Sequence, residues 1–579
     1  MREAYTLAPR SALSRPSTRD GSHGDTLARA MDRQPPRVSS DEIELYVRTY
    51  YSLLRSSGEV RVRAFEEAHI FSKSSLHLGA ADAAPDVAAF AYSAARLPAC
   101  MPQVQRVLLG QSHEQFERAG LEVRSWQRVR SRGRRRPLRF DGKSTLAAFI
   151  TSTSDIDDLV PILTAYQIEW NKLHRRLVDD RALGLDEHDQ RTLDAALGEE
   201  RVTGIAEIGK RESDLSLRLL AGSFVQYQRA SQRWWSDIER AYVRDERPRR
   251  RPVYFVSSNT HAVLNLFGGY ARHHRPQIID FVRKRDPEGL AATLDATLAT
   301  DDSAQVDNLL YYVMRHYLHE GQDRVAEVRA HDRLAGVRAV ESPGGVDVDA
   351  QIVELAALSP AALDPRVRVA GVELLAKSNA LILNIDYPLG VAAYHHLSRA
   401  VQGIGELRGI YVMGKAATLN ARVGDVLISK TAHDEHSRNT YLFRNGFTAA
   451  DVQPFLRRAT VLDNQKALTV RGPFLQNRDY MSGFYREGYT VLEMEAGPYL
   501  SAVYEIINPG RHPEDEIVQL ANLGGLDLGI LHYASDTPYS RRQSLLSKSL
   551  SYFGVEATYG CAIAIARRIL IDAVARVGA

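Results

Sequence analysis

Two cysteines in 579 residues, Cys100 and Cys561, are too few for a disulfide framework or a cysteine-built metal site. Such scarcity fits a reducing cytoplasm, and cytoplasmic is the localisation expected. Charge of one sign is equally scarce: 74 lysines and arginines face 71 aspartates and glutamates, a formal net charge of +3. Bulk electrostatics therefore do not make this a nucleic-acid binder. No apolar run approaches the roughly 18 residues that span a bilayer, and the first thirty residues hold no apolar core of a secretory leader. No membrane partner is expected. Internal repeats of about 20 to 50 residues are missing, which excludes solenoids and propellers.

What is present is enough apolar residue, 44%, to build the cores of a multidomain globular chain. Residues 1–38 are rich in Ser, Arg, Pro and Asp without hydrophobic periodicity and read as a disordered tail. Order begins at Ser39-Ser40-Asp41-Glu42, a capping box, behind which Ile43, Tyr46, Val47, Tyr50 and Leu54 recur at helical spacing. Two arginine-dense stretches follow: Arg124, Arg128, Arg130, Arg132, Arg134, Arg135, Arg136 and Arg139, then Arg247, Arg249, Arg250 and Arg251. They could be phosphate or nucleic-acid patches. Without the aromatic and glycine interleaving of RNA binders, a solvated loop is the expectation.

Each stretch precedes a strand, a polar turn and a helix. Thr145–Ile150 leads through TSTSD into a helix from Ile156 to about Val178, and Pro252–Val256 leads through SSNTH into a helix through Leu266. Small polar residues there suit an anion, but capping by Ser154, Asp155, Asn259 or Thr260 alone demands them. ESPGGVDVD, residues 341–349, reads as a linker between an N-terminal helical and α/β region, 39–340, and a C-terminal α/β domain, 350–579. In the latter, strands are expected at 380–385, 409–413, 426–428, 489–492 and 528–533, with helices between and a long one at the end.

Three stretches of this last part carry a resemblance. GKAATLNARVGDVLIS (Gly414–Ser429), VLEMEAG (Val491–Gly497) and HYASDTP (His532–Pro538) resemble, in order and spacing, the glycine-rich turn with VGD strand, the VEMEAAG segment and the Ser-Asp strand end of the nucleoside phosphorylase and nucleosidase superfamily. The whole chain also looks like a bacterial family of two-part proteins without an assigned function. The resemblance implies an α/β fold with a nucleoside phosphorylase-like C-terminal domain, a small-molecule nucleoside or nucleotide as partner, no cofactor and no metal, and a homo-oligomer. AMP nucleosidase, which also joins an extra amino-terminal domain to this fold, is the precedent for the layout.

Residue roles follow from the same resemblance. Breaking a ribose–base bond passes through an oxocarbenium-like sugar, so the departing base must be protonated and the ribose held. Asp536 is implied as the acid at purine N7, with Ser535 orienting it. Glu495 is implied as the acceptor of the ribose 2′ and 3′ hydroxyls, Met494 as the floor under the sugar, Glu493 as a second carboxylate that could instead be helix-terminal charge, and Phe474 of RGPFLQN as a wall of the base pocket or an ordinary core ring.

The sequence also departs from the family's phosphate-binding pattern. The early loop is Asn384-Ile-Asp-Tyr-Pro-Leu-Gly390, with an acid where an anion would sit, and Tyr411 stands where an arginine is expected. That favours hydrolysis over phosphorolysis, with Asp386 positioning water or capping the next helix. Lys415, beside Gly414 in the turn, Arg438 in AHDEHSRNTY, Arg541 and Arg542 remain as cations for a displaced phosphate or a nucleotide 5′-phosphate. His433 and His436 with Asp434 and Glu435 are too close together in one loop for a full metal-ligand set. The alternatives to a hydrolytic nucleosidase are a phosphorylase and a nucleotide-binding sensor without turnover.

Overall fold

The computed structural model describes residues 41–131, 136–179, 185–197, 201–242, 251–300, 302–537 and 552–578. The tail at 1–38, the arginines at 132, 134, 135, 247, 249 and 250, and Arg541 and Arg542 lie outside them. The first helix, Asp41–Ser56, buries Ile43, Tyr46, Val47, Tyr50 and Leu54, the five residues whose spacing predicts its inner face.

Six strands form the first sheet: β1 (Val60–Arg61), β2 (Arg106–Gly110), β3 (Gln127–Val129), β4 (Leu138–Phe140), β5 (Thr145–Phe149) and β6 (Ser216–Leu219). Their order is β1-β6-β2-β5-β4-β3, with β6, β2 and β5 parallel and the outer pairs antiparallel. The Thr153–Asp179 helix covers the sheet and is buried along most of its length. One member of the arginine-dense stretch is not solvated: Arg136, 7% exposed, pairs with Asp158 at the start of this helix. A buried guanidinium needs such a partner, since desolvation alone would cost several kcal/mol, roughly.

The second sheet has eleven strands: β7 (Val253–Ser258), β8 (Val337–Val340), β9 (Ala350–Glu354), β10 (Leu381–Asp386), β11 (Leu407–Thr418), β12 (Val426–Asp434), β13 (Thr440–Phe443), β14 (Val461–Thr469), β15 (Tyr489–Glu493), β16 (Ile517–Leu520) and β17 (Asp527–Asp536). Strands β10, β7, β11 and β17 run parallel in that order. Because β11 pairs with β15 and β17, and β12 with β14 and β17, while β14 pairs with β15, five strands close into a ring. Side chains alternate between two cores. Tyr254, Val256, Ile382, Tyr411 and Met413 enter the one shared with the Val555–Gly578 helix. Val253, Phe255, Leu383, Ile410 and Val412 enter the other, shared with the Phe224–Tyr242, Ala392–Gly403 and Ala496–Ile507 helices. The chain thus has the α/β fold that its alternating pattern predicts.

The expected linker at 341–349 does not separate two bodies. Strand β7, from the N-terminal side, is zipped between β10 and β11, and helices from 260 to 334 form one covering layer of the same sheet. The Gly-Pro-rich stretch is clamped: Gly344 N donates to Asp237 at 2.6 Å, Trp234 Nε1 donates to Val348 O at 3.0 Å, and Val346 and Val348 are buried. Turn composition marks a change of direction, which a buried turn needs as much as a linker does. Among the described residues no helix is long and apolar enough to cross a membrane.

Candidate active site

The carboxyl edge of parallel strands is where an α/β sheet leaves room for ligands. At this edge of the second sheet β17 ends in Ser535-Asp536. Asp536 lies opposite Ala417 of β11, just past a bulge at Ser535 in β17, and Ser535 Oγ donates to Asp536 Oδ2 at 2.8 Å. Both are partly exposed. Met494, 8% exposed, packs in the small cluster that also takes in Leu389 and Ala417, the residue opposite Asp536.

The two glutamates of VLEMEAG have different tasks. Glu493 Oε2 accepts the N–H groups of Glu495 and Ala496 at 2.7 and 2.6 Å, and Thr469 Oγ1 donates to Oε1. It therefore satisfies the free amides of the Ala496–Ile507 helix rather than a sugar. Burial nevertheless raises its pKa. Glu495 faces the early loop instead, its Oε1 accepting the Gly390 N–H at 3.0 Å. Gly390 has φ +55°, and a Cβ there would come within 2.2 Å of Ser154 Oγ. Ser154, fully buried at the start of the Thr153–Asp179 helix, accepts the Val391 N–H at 2.9 Å. The first sheet's long helix thus braces the early loop of the second sheet, a role that its reading as a helix cap does not foresee. In the same TSTSD turn Asp155 accepts the Thr151 N–H at 2.6 Å, and in SSNTH Asn259 caps Ala262 N at 2.8 Å, so side chains already satisfy these amides.

Gly414 and Lys415 do not form a turn. They lie within β11, and the turn falls at 419–425, where Asp425 of the VGD segment accepts the Arg422 and Thr460 N–H groups, each at 2.9 Å. The face of Gly414 is covered by the ring of Tyr387, which a Cβ would meet at 2.1 Å. Tyr387 is partly buried with its hydroxyl enclosed, and desolvation together with Glu495 and Glu493 holds its phenol well above the usual range. The space expected for an anion is therefore filled by a neutral ring between carboxylates. Lys415 is exposed. Tyr411 sits elsewhere, its hydroxyl donating to Asp527 at 2.6 Å at the opposite end of β17. Asp386, 7% exposed, accepts the Tyr387 N–H at 3.0 Å and so takes part in the early loop.

His532, the first residue of HYASDTP, is in register with Gly414. It is fully buried, neither ring nitrogen has a hydrogen bond among the described residues, and Nε2 lies 3.8 Å from Glu493 Oε2. Burial lowers its pKa to about 4, leaving it neutral at pH 7. In the sequence its signal is its place on the strand three residues before Ser535.

The histidine loop is organised by Asp434. Its Oδ1 accepts His436 Nδ1 at 2.9 Å and its Oδ2 accepts Ser437 Oγ at 2.7 Å; burial opposes the charge, but these partners keep the carboxyl below its usual range. The turn carries Arg438 outward, exposed and with φ +59°. His433 is buried, bonds Thr440 Oγ1 at 2.9 Å and is held neutral mainly by burial.

Phe474 does not line this edge. It is 1% exposed within the core of the first sheet, its ring 5.3 Å from that of Tyr92 and 6.0 Å from that of His69. The flanking residues follow it: Ser75 N donates to Gln476 O at 2.7 Å, and Asn477 Nδ2 donates to Ser72 O at 3.1 Å. Arg471, at the root of the insertion, lies 3.4 Å from Glu44 and 3.8 Å from Asp157. RGPFLQN is thus a plug joining the two sheets.

Among solved structures, the chain is similar to 5′-methylthioadenosine nucleosidase of Arabidopsis thaliana in apo form (10% identity, 56% of this chain and 96% of that chain, TM-score 0.27). It is also similar to 5′-methylthioadenosine/S-adenosylhomocysteine nucleosidase of Neisseria meningitidis in complex with methylthio-immucillin-A (11%, 55% and 99%, 0.29). Uridine phosphorylase of Schistosoma mansoni with 5-fluorouracil is a third (11%, 33% and 71%, 0.25). No curated protein matches the chain. A family described as "Family of unknown function (DUF6909)" matches residues 62–182 and 179–571, and the chain belongs to that family.

Proposed function

We propose that this protein cleaves the N-glycosidic bond of a purine nucleoside or nucleotide, with water as the nucleophile. The observation that carries the reading is the Ser535-Asp536 pair at the carboxyl edge, opposite Ala417 of the Met494 cluster, with the Tyr387 ring laid over Gly414 where a phosphate would need to approach. Asp536 protonates or hydrogen-bonds the departing base, and Ser535 holds the carboxyl in position. Glu495 accepts a ribose hydroxyl with the carboxylate that also fastens Gly390, so sugar binding and the shape of the early loop are linked through one side chain. Asp386, in that loop, positions the water. Arg438, exposed on its turn, is the cation for a 5′-phosphate.

The test is incubation of the full chain with a panel of purine nucleosides and nucleotides, with and without phosphate, following free base by chromatography. Base release independent of phosphate, with free ribose or ribose 5-phosphate as co-product, is expected. Release that requires phosphate and yields ribose 1-phosphate would replace hydrolysis by phosphorolysis. Ligand binding without base release would make the domain a sensor.

A further inference from the structure

The first sheet has a carboxyl edge of its own. Between the ends of β2 and β5 and the Phe224–Tyr242 helix lies a cleft of about 530 Å³, lined by Gln111, His113, Phe149, Arg124, Arg229 and Arg233 among others. Gln111 directly follows β2 and Phe149 ends β5, and these neighbouring parallel strands continue in opposite directions across the sheet, β5 through the Thr153–Asp179 helix to β6 on the far side of β2. A crevice at such a reversal is a natural ligand position.

Two observations point to an occupant. Gln111 is 5% exposed, yet neither atom of its side-chain amide has a hydrogen-bond partner among the described residues. Leaving a buried amide unpaired costs roughly 1–3 kcal/mol, so such a group is retained where something pairs with it part of the time. The second is charge. Arg229 and Arg233, one turn apart on the helix, have no acidic partner among the described residues, unlike Arg124, bonded to Glu117 at 2.7 Å, and Arg240, paired with Asp237. The His113 ring stands edge-on to Phe149 at 4.9 Å, giving the cleft an aromatic wall, and its Nδ1 is also buried without a partner.

We propose that this cleft binds a phosphate monoester, its phosphate on Arg229 and Arg233 and its organic part presenting an adjacent donor and acceptor to the Gln111 amide. A guanidinium pair suits a dianionic phosphate, and an amide pairs with a donor–acceptor edge such as that of a nucleobase. The site is separate from the Asp536 edge and does not depend on the reaction assigned there.

Isothermal titration of full-length Asp536→Asn protein with AMP, adenosine and inorganic phosphate at low salt tests it, the substitution serving to suppress turnover. One AMP site is expected to disappear, or to weaken by at least about tenfold, on adding Arg229→Ala and Arg233→Ala; both side chains are exposed, so folding is retained. Gln111→Leu should weaken AMP at that site while sparing inorganic phosphate. An unchanged AMP isotherm in the double arginine variant overturns the site. Equal affinity for AMP and inorganic phosphate, indifferent to Gln111→Leu, overturns the assignment of the organic part.

Discussion

The two sheets place a parallel carboxyl edge toward solvent, and they finish it with opposite chemistry. At β2 and β5 the edge is open, lined by four arginines, by Glu114 and Asp237, and by an amide that has no partner among the described residues. At β10, β11 and β17 it is filled from within: Tyr387 covers Gly414, Glu493 and Glu495 spend oxygens on backbone amides, and Asp536 is the carboxylate bonded to its own neighbouring serine. The topology supplies the place in both cases. What differs is whether the chain's own groups already satisfy the edge, and the two proposals follow that difference, an anion at the one and a group that receives a proton at the other.

The comparison can be broken most sharply at Asp536. Asp536→Asn should lower base release by about 10²- to 10⁴-fold without moving the unfolding midpoint by much, and an unaffected rate would remove the acid from this edge. Next in size is the plug. Phe474→Ala should cost about 3–5 kcal/mol in urea unfolding, because the ring is buried in the first sheet's core; a loss of nucleoside binding with stability intact would return Phe474 to the base pocket. Gly414→Ala forces a methyl into the Tyr387 ring and should cost about 1–3 kcal/mol. Combining it with Tyr387→Ala should recover part of that loss, and strict additivity would show that the ring does not lie there in solution.

The smallest effect is one of pH. His532 has a folded-state pKa of about 4, below the usual 6.5, so between these values the unfolded chain takes up a proton that the folded one refuses. Its contribution is present above pH 6.5 and is lost as pH falls toward 4, at up to about 1.4 kcal/mol per pH unit. His532→Leu should therefore show a smaller drop in melting temperature between pH 7 and pH 5 than the unsubstituted protein. An equal drop would mean that the imidazole is already paired.

Local periodicity was legible. The buried face of the first helix, the strand–turn–helix units at 145 and 252, and the strand ending in Ser535-Asp536 all follow from side chains whose environment is set by neighbours in sequence. The misread residues depend on partners far along the chain. Gly414 has the composition of a turn, and only Tyr387 explains why a glycine is needed inside a strand. Phe474 sits in a segment to which the sequence resemblance gives a pocket, but the aromatic cluster that receives it comes from residues 69–92. Glu493 and Glu495 are alike in sequence and are told apart only by which amide each reaches. Gln111 and Arg233 carried no motif, since their common cleft exists only once the Phe224–Tyr242 helix is laid across the strand ends.

The insertion of β7 between β10 and β11 bears on how this protein can be divided. A fragment beginning at residue 350 would lack the strand with which β10 pairs from 253 to 258 and β11 from 253 to 257. It would present two long, apolar, unsatisfied strand edges at the centre of its sheet, the template on which chains stack into aggregates. A fragment that keeps this sheet whole must therefore begin before Val253.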